Sequence, residues 1–170
     1  MTKFRFCGFN DYEDGKMAHV ETIGEYEIPV NIFIDNANEL GDLEECLCSI
    51  DVCAVGQNFR IFASEEEFNA ADSKMAVISM IPIGVFSPNP DYSDFQPSPH
   101  IYYTGKVLNV AWDPNAAEDM PNCCLTIEML SMTLKHYVRR DTPVEVGSIA
   151  QGVAWLYGDL VPHEESSCIS

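Results

Sequence analysis

Gly152-Val153-Ala154-Trp155-Leu156-Tyr157-Gly158 is the stretch on which the fold turns. Val153, Trp155 and Tyr157 alternate with Gly152, Ala154, Leu156 and Gly158, a period of two that specifies a strand. Bulky side chains fall on one face and mostly small ones on the other. Small residues let a sheet bend and let a neighbouring backbone come close, so the pattern suits a small, tightly curved barrel. The strand is expected over 148–161.

Working upstream, the same periodicity marks strands over 132–138, 123–130 and 100–112, with a polar loop at 113–122 and almost no helix signal. Thr104-Gly105-Lys106-Val107-Leu108, Leu125-Thr126-Ile127-Glu128 and Gly147-Ser148-Ile149 leading into 152–158 resemble small uncharacterised bacterial proteins with an OB-like β-barrel. The resemblance covers only the C-terminal part of the chain. It implies a barrel over 100–162 and carries no established function. The basic face of nucleic-acid-binding OB domains is missing, and a shared fold leaves the ligand open.

In the N-terminal half, Tyr26-Glu27-Ile28-Pro29-Val30-Asn31-Ile32-Phe33-Ile34 alternates cleanly. Pro29 lacks a ladder donor, which places this strand at a sheet edge or on a bulge. Residues 3–9 read as a short strand with a turn at 10–16. Residues 45–55 read as another, with a turn at Gly56-Gln57-Asn58 and a hairpin return over 59–62. Ser64-Glu65-Glu66-Glu67 is a capping box with three carboxylates at the positive end of a helix dipole. It predicts a helix over 64–73 with Phe68, Ala71 and Met75 on its buried stripe. Residues 75–86 then read as a buried strand, and Pro88, Pro90, Pro97 and Pro99 make 87–99 a loop or linker. The expected architecture is α+β and β-rich. An N-terminal lobe of strands with one short helix (1–86) precedes the linker, an OB-like barrel (100–162) and a tail (163–170).

Charge bounds the function. Twenty-seven acidic residues face nine basic ones in 170 residues, a formal net charge of −18. The excess runs along the whole chain, with only Lys135, Arg139 and Arg140 clustered among the bases. Nucleic-acid binding draws its affinity from cations on phosphates, so this composition argues against it and against anionic membranes. The longest apolar run, over 75–86, is too short for a membrane helix. Seven cysteines, an odd number, with no secretory pattern at Met1-Thr2-Lys3-Phe4, point to free thiols and a cytoplasmic setting.

No reactive signature stands out. Cys46 and Cys48 share a strand face, but no C-x2-C pair occurs and the histidines are not spaced to complete a zinc set. Vicinal Cys123 and Cys124 should point to opposite faces. Asp113, Glu118 and Asp119, like Asp91 and Asp94, lack the glycine and closing glutamate of a calcium loop, so no metal and no cofactor is expected. His136 is in phase with Met132, Leu134 and Val138 and should face the core, whereas His100 should be exposed. Tyr102, Tyr103, Tyr137, Tyr157, Trp112 and Trp155 are aromatics able either to stack a ligand or to pack the sheet. The ligand-contact candidates are Trp112, His136 and Tyr137. The expected role is a non-catalytic, acidic interaction protein for a basic or neutral protein partner. The alternative is a small-ligand binder or enzyme using a pocket between the lobes, near Trp112, His136 or Cys124. Oligomeric state is not specified by any pattern in the chain.

Overall fold

Period-two patterning becomes strand along most of the chain. The structure, a computed structural model, describes residues 1–71, 76–85 and 95–163. Outside them lie the end of the 64–73 helix, both ends of the 75–86 strand, most of the proline-rich loop and the tail beyond 163. Met75, Asp91, Asp94 and Cys168 are outside them too. In chain order the elements are β1 (Thr2–Tyr12), β2 (Gly15–Thr22), β3 (Pro29–Ile34), α1 (Ala37–Leu40), β4 (Cys46–Ile50), β5 (Cys53–Phe62) and α2 (Glu65–Ala70). Then follow β6 (Ser79–Ile81), β7 (His100–Trp112), β8 (Cys123–Met129), β9 (Met132–Val138), β10 (Ile149–Gly158) and β11 (Leu160–Pro162). No described helix is long and apolar enough to cross a membrane.

Two compact units divide the chain, interleaved in sequence. The first comprises Met1–Val52 with the described parts of Pro82–His100 and Leu156–Ser170. Its sheet runs β11-β4-β1-β2-β3, antiparallel throughout, and the last residues of β10 join β3 in parallel through Tyr157↔Phe33 and Gly158↔Ile34. Phe4, Phe6, Val20, Val30, Ile32, Ile50 and Leu160 form its buried interior. The β1–β2 register steps from Phe6↔Val20 to Gly8↔His19, so Cys7 is the extra residue of a bulge. Pro29 heads β3 opposite Glu21, in the part of the strand whose partner is β2 alone; this is the edge position its missing N–H requires. The strand does not start at Tyr26 as its alternation suggests. Thr22 Oγ1 donates to the Tyr26 carbonyl (2.8 Å) and accepts the Ile28 N–H (2.9 Å), which closes 22–28 as a loop. The short α1 has no periodic signal of its own. Asn36 ahead of it pairs with β11 like a strand neighbour, its amide donating to the Leu160 carbonyl and accepting the Leu160 N–H, both at 2.9 Å.

The second unit comprises Cys53–Ile81 and Ile101–Trp155. Within it β5, β9, β8, β7 and β10 close into a five-stranded barrel, compatible with an OB-like barrel, and β6 pairs with β7 outside the ring. The chain is therefore α+β and β-rich, with two short helices among the described residues. On β10 the small residues are the inward ones: Gly152 and Ala154 are buried, while Val153 and Trp155 are half-buried.

The reading of 45–62 as strand, turn and hairpin is overturned. Asp51 and Val52 break the strand, and β5 then runs straight through Gly56-Gln57-Asn58 to lie parallel to β9, with Cys53↔Lys135, Ala54↔His136 and Val55↔Tyr137. Gly56 signals close packing rather than a turn, because a Cβ there would overlap the His136 ring. The capping box forms as expected. Ser64 Oγ accepts the Glu67 N–H (3.1 Å), and Glu67 reaches back to the Ala63 N–H (3.0 Å). Phe68 from this helix packs edge-on to Phe62 at 5.2 Å, beside Ile149.

Candidate functional site

Strand alternation assigns the barrel side chains to two faces, and chemistry differs between them. On β9, Met132, Leu134, His136 and Val138 are buried and the residues between them are not. His136 is fully buried, with Nδ1 hydrogen-bonded to the hydroxyl of Tyr103 at 2.5 Å and Phe59 edge-on at 4.7 Å. Its Nε2 has no hydrogen-bond partner among the described residues. Burial holds the imidazole neutral, lowering its pKa from 6.5 to about 4, and raises the Tyr103 phenol well above its ordinary 10.0. The pair is thus uncharged over the physiological range.

Phe59 also lines a cavity of about 400 Å³, with Arg60 of β5, Tyr102 of β7, and Gln151 and Gly152 of β10. Gln151 is only 2% exposed, and both ends of its amide are used. Oε1 accepts from Arg60 Nη2 at 2.7 Å, and Nε2 donates to the buried Thr104 Oγ1 at 3.1 Å. The Arg60 guanidinium also lies over the Phe62 ring, 5.5 Å from its centroid.

Trp112 and Tyr137 line a different cavity, of about 250 Å³, with Cys124, Asn122 and Asp113. Cross-strand register makes this row: Ala111 faces Cys124, and Cys124 faces Tyr137. Trp112 is 40% exposed. The adjoining loop is pinned. Arg139 donates to the Ala117 and Met120 carbonyls (2.7 Å each), and Asn122 exchanges two 2.9 Å bonds with the Arg140 backbone. Of the three ligand-contact candidates, then, Trp112 and Tyr137 come together, and His136 points the opposite way into the barrel.

Cys48 is buried, and its thiol is pushed up to about 12 by burial and then by the neighbouring Cys46 and Cys7 thiols. Cys123 is raised by burial and by Cys124, with Arg140 opposing. Cys123 is buried and Cys124 half-buried, on opposite faces as vicinal strand residues must be. His100 is half-buried rather than exposed; its Nδ1 meets Ser98 Oγ at 2.9 Å, and burial lowers its pKa. Asp113 accepts the Asn115 N–H at 3.0 Å, a turn within the loop. No group of three or more His, Cys, Asp or Glu among the described residues is placed to hold a metal ion.

Arg60, Gln151 and Thr104 escaped the sequence reading because they lie on three separate strands. One signal was available: Gln151 is the lone polar amide in the apolar run 149–158.

What fold and site define together is a small closed barrel whose mostly apolar interior holds the Tyr103–His136 pair. No family model matches the chain, and neither curated proteins nor solved structures yield a match.

Proposed function

We propose that this is a non-catalytic interaction protein of the cytoplasm that binds a basic protein partner. The observation that supports it is where the charge lies. Every described Asp and Glu is exposed except Glu21 and Asp51, which are half-buried, and none is buried. The acidic side chains of the described residues are therefore presented to solvent. Of the three clustered bases, Arg139 is engaged by the carbonyls of the acidic 113–122 loop. Such a surface accelerates encounter with a cationic partner and repels nucleic acid. Trp112 and Tyr137, beside Asp113, supply aromatic contacts of the kind that anchor interfaces. The likeness to small bacterial OB-like proteins belongs to the same proposal.

Immobilised protein is expected to retain a basic protein from host lysate at about 20 mM salt and to release it by about 300 mM, as screening shortens the field. Trp112→Ala should weaken the purified complex about tenfold. Retention of nothing basic at low salt would end this reading.

A further inference from the structure

We infer that the barrel cavity walled by Phe59, Arg60, Tyr102, Gln151 and Gly152 binds a small flat molecule carrying one carboxylate. This activity is independent of the protein partner proposed above, and it rests on how Arg60 is held. In a chain with three acids for every base, this guanidinium is hydrogen-bonded, among the described residues, to a neutral amide instead of a carboxylate. Arg60 itself is exposed, so its remaining N–H groups are reachable at the cavity.

The bond also fixes geometry. Arginine only donates, so it orients the Gln151 oxygen toward itself, and the amide nitrogen must then donate to Thr104. Gln151 and Thr104 are both buried, so neither can turn to water. With one guanidinium N–H committed to Gln151 and the guanidinium carbon 5.5 Å from the Phe62 ring centroid, the side chain is held at two points. Preorganisation of this kind lowers the ordering cost of binding. A planar fork of N–H groups matches a carboxylate in two-point contact.

The rest of the cavity sets the body of the ligand. Phe59 and Tyr102 offer aromatic walls, and Gly152 leaves its stretch of wall without a side chain. A volume of about 400 Å³ is at the small end of ligand sites, enough for a fused-ring acid. One cation balances one negative charge. A dianionic phosphate would leave a charge uncompensated within a −18 protein.

The probe is 2-naphthoate, with 2-naphthylmethanol as its neutral analogue and 2-naphthyl phosphate as the dianion. The readout is the NMR shift of the Gln151 side-chain amide and the Arg60 Nε–H in the full-length protein. Naphthoate should saturate these signals with a Kd below about 1 mM, and the alcohol and phosphate should bind at least about tenfold more weakly. Arg60→Gln and Arg60→Lys should each lose about tenfold, because neither presents the planar fork. Raising salt from about 20 to about 300 mM should leave naphthoate affinity unchanged or improve it, since screening relieves repulsion from the net charge. That sign is opposite to the one expected for a basic protein partner, so the two proposals fail separately. The site is refuted by any of three results: no saturation by about 5 mM naphthoate, equal affinity for the alcohol, or shifts confined to Trp112 and Tyr137. The wild-type comparison of acid and alcohol keeps the test decisive even if an Arg60 variant folds poorly.

Discussion

The two units bury polar side chains for different purposes. In the first unit the buried polar residues are Thr22 and Asn31. Each satisfies backbone: Thr22 closes the loop before β3, and Asn31 donates to the Gly84 and Ser98 carbonyls while accepting from His19 Nδ1–H. In the barrel, by contrast, buried Tyr103 pairs with His136, and buried Gln151 accepts from the exposed Arg60 and donates to Thr104, side chain to side chain. Three buried side-chain atoms of this unit, Ser79 Oγ, His136 Nε2 and Arg140 Nε, have no hydrogen-bond partner among the described residues. Buried polar groups that satisfy backbone explain themselves as structure, since an unpaired backbone group inside a protein is costly. Groups that pair side chain to side chain have no such backbone to serve. The difference places the candidate chemistry in the barrel.

The largest effect that can break this contrast is acid sensitivity centred on His136. The unfolded chain takes up a proton near pH 6.5, whereas the folded barrel refuses it until about pH 4. Stability from this group is fully present above 6.5, falls as pH drops through that window, and levels off below about 4. The loss amounts to about 3 kcal/mol. Urea unfolding at pH 7 and pH 4 should show that much less acid destabilisation in a Tyr103→Phe/His136→Leu double variant than in wild type. An identical pH dependence in both would mean that the pair is not the charged-form barrier inferred from its burial.

A smaller effect is expected in the first unit. Thr22→Val keeps the shape but leaves the Ile28 N–H and Tyr26 carbonyl without their shared partner, costing about 1–3 kcal/mol. The loss should appear in the denaturation midpoint with no change in naphthoate affinity. Thr104→Val frees the Gln151 amide and should lower stability by about 1 kcal/mol while also weakening naphthoate. If the two variants behave alike, the distinction between backbone-satisfying and site-forming polar residues dissolves.

The smallest effect tests a feature outside the contrast. Ser64→Ala removes the N-cap of α2 and should cost about 1 kcal/mol in thermal or urea unfolding. Ligand affinity should not change.

Much of the fold was legible. The bounds of β7 and β9 coincide with the period-two runs at 100–112 and 132–138, because their side chains have distinct inner and outer environments. The Ser64 cap was visible because capping is local, involving residues three apart. Gly56 misled, since a glycine marks either a turn or a close approach, and only the His136 ring overhead decides between them. The inward direction of His136 followed from its phase with Leu134 and Val138. Its companion Tyr103, 33 positions upstream, did not.

Sequence alone determined the strand periods, the helix cap and the acidic composition, because these depend on near neighbours along the chain or on simple counts. Tertiary structure decided that β5 completes the ring with strands far downstream, and that Arg60 and Gln151 meet at one cavity with Thr104 holding the Gln151 amide. Ring closure selects partners by register and packing across long sequence separations, and no local pattern encodes which distant residue will stand opposite.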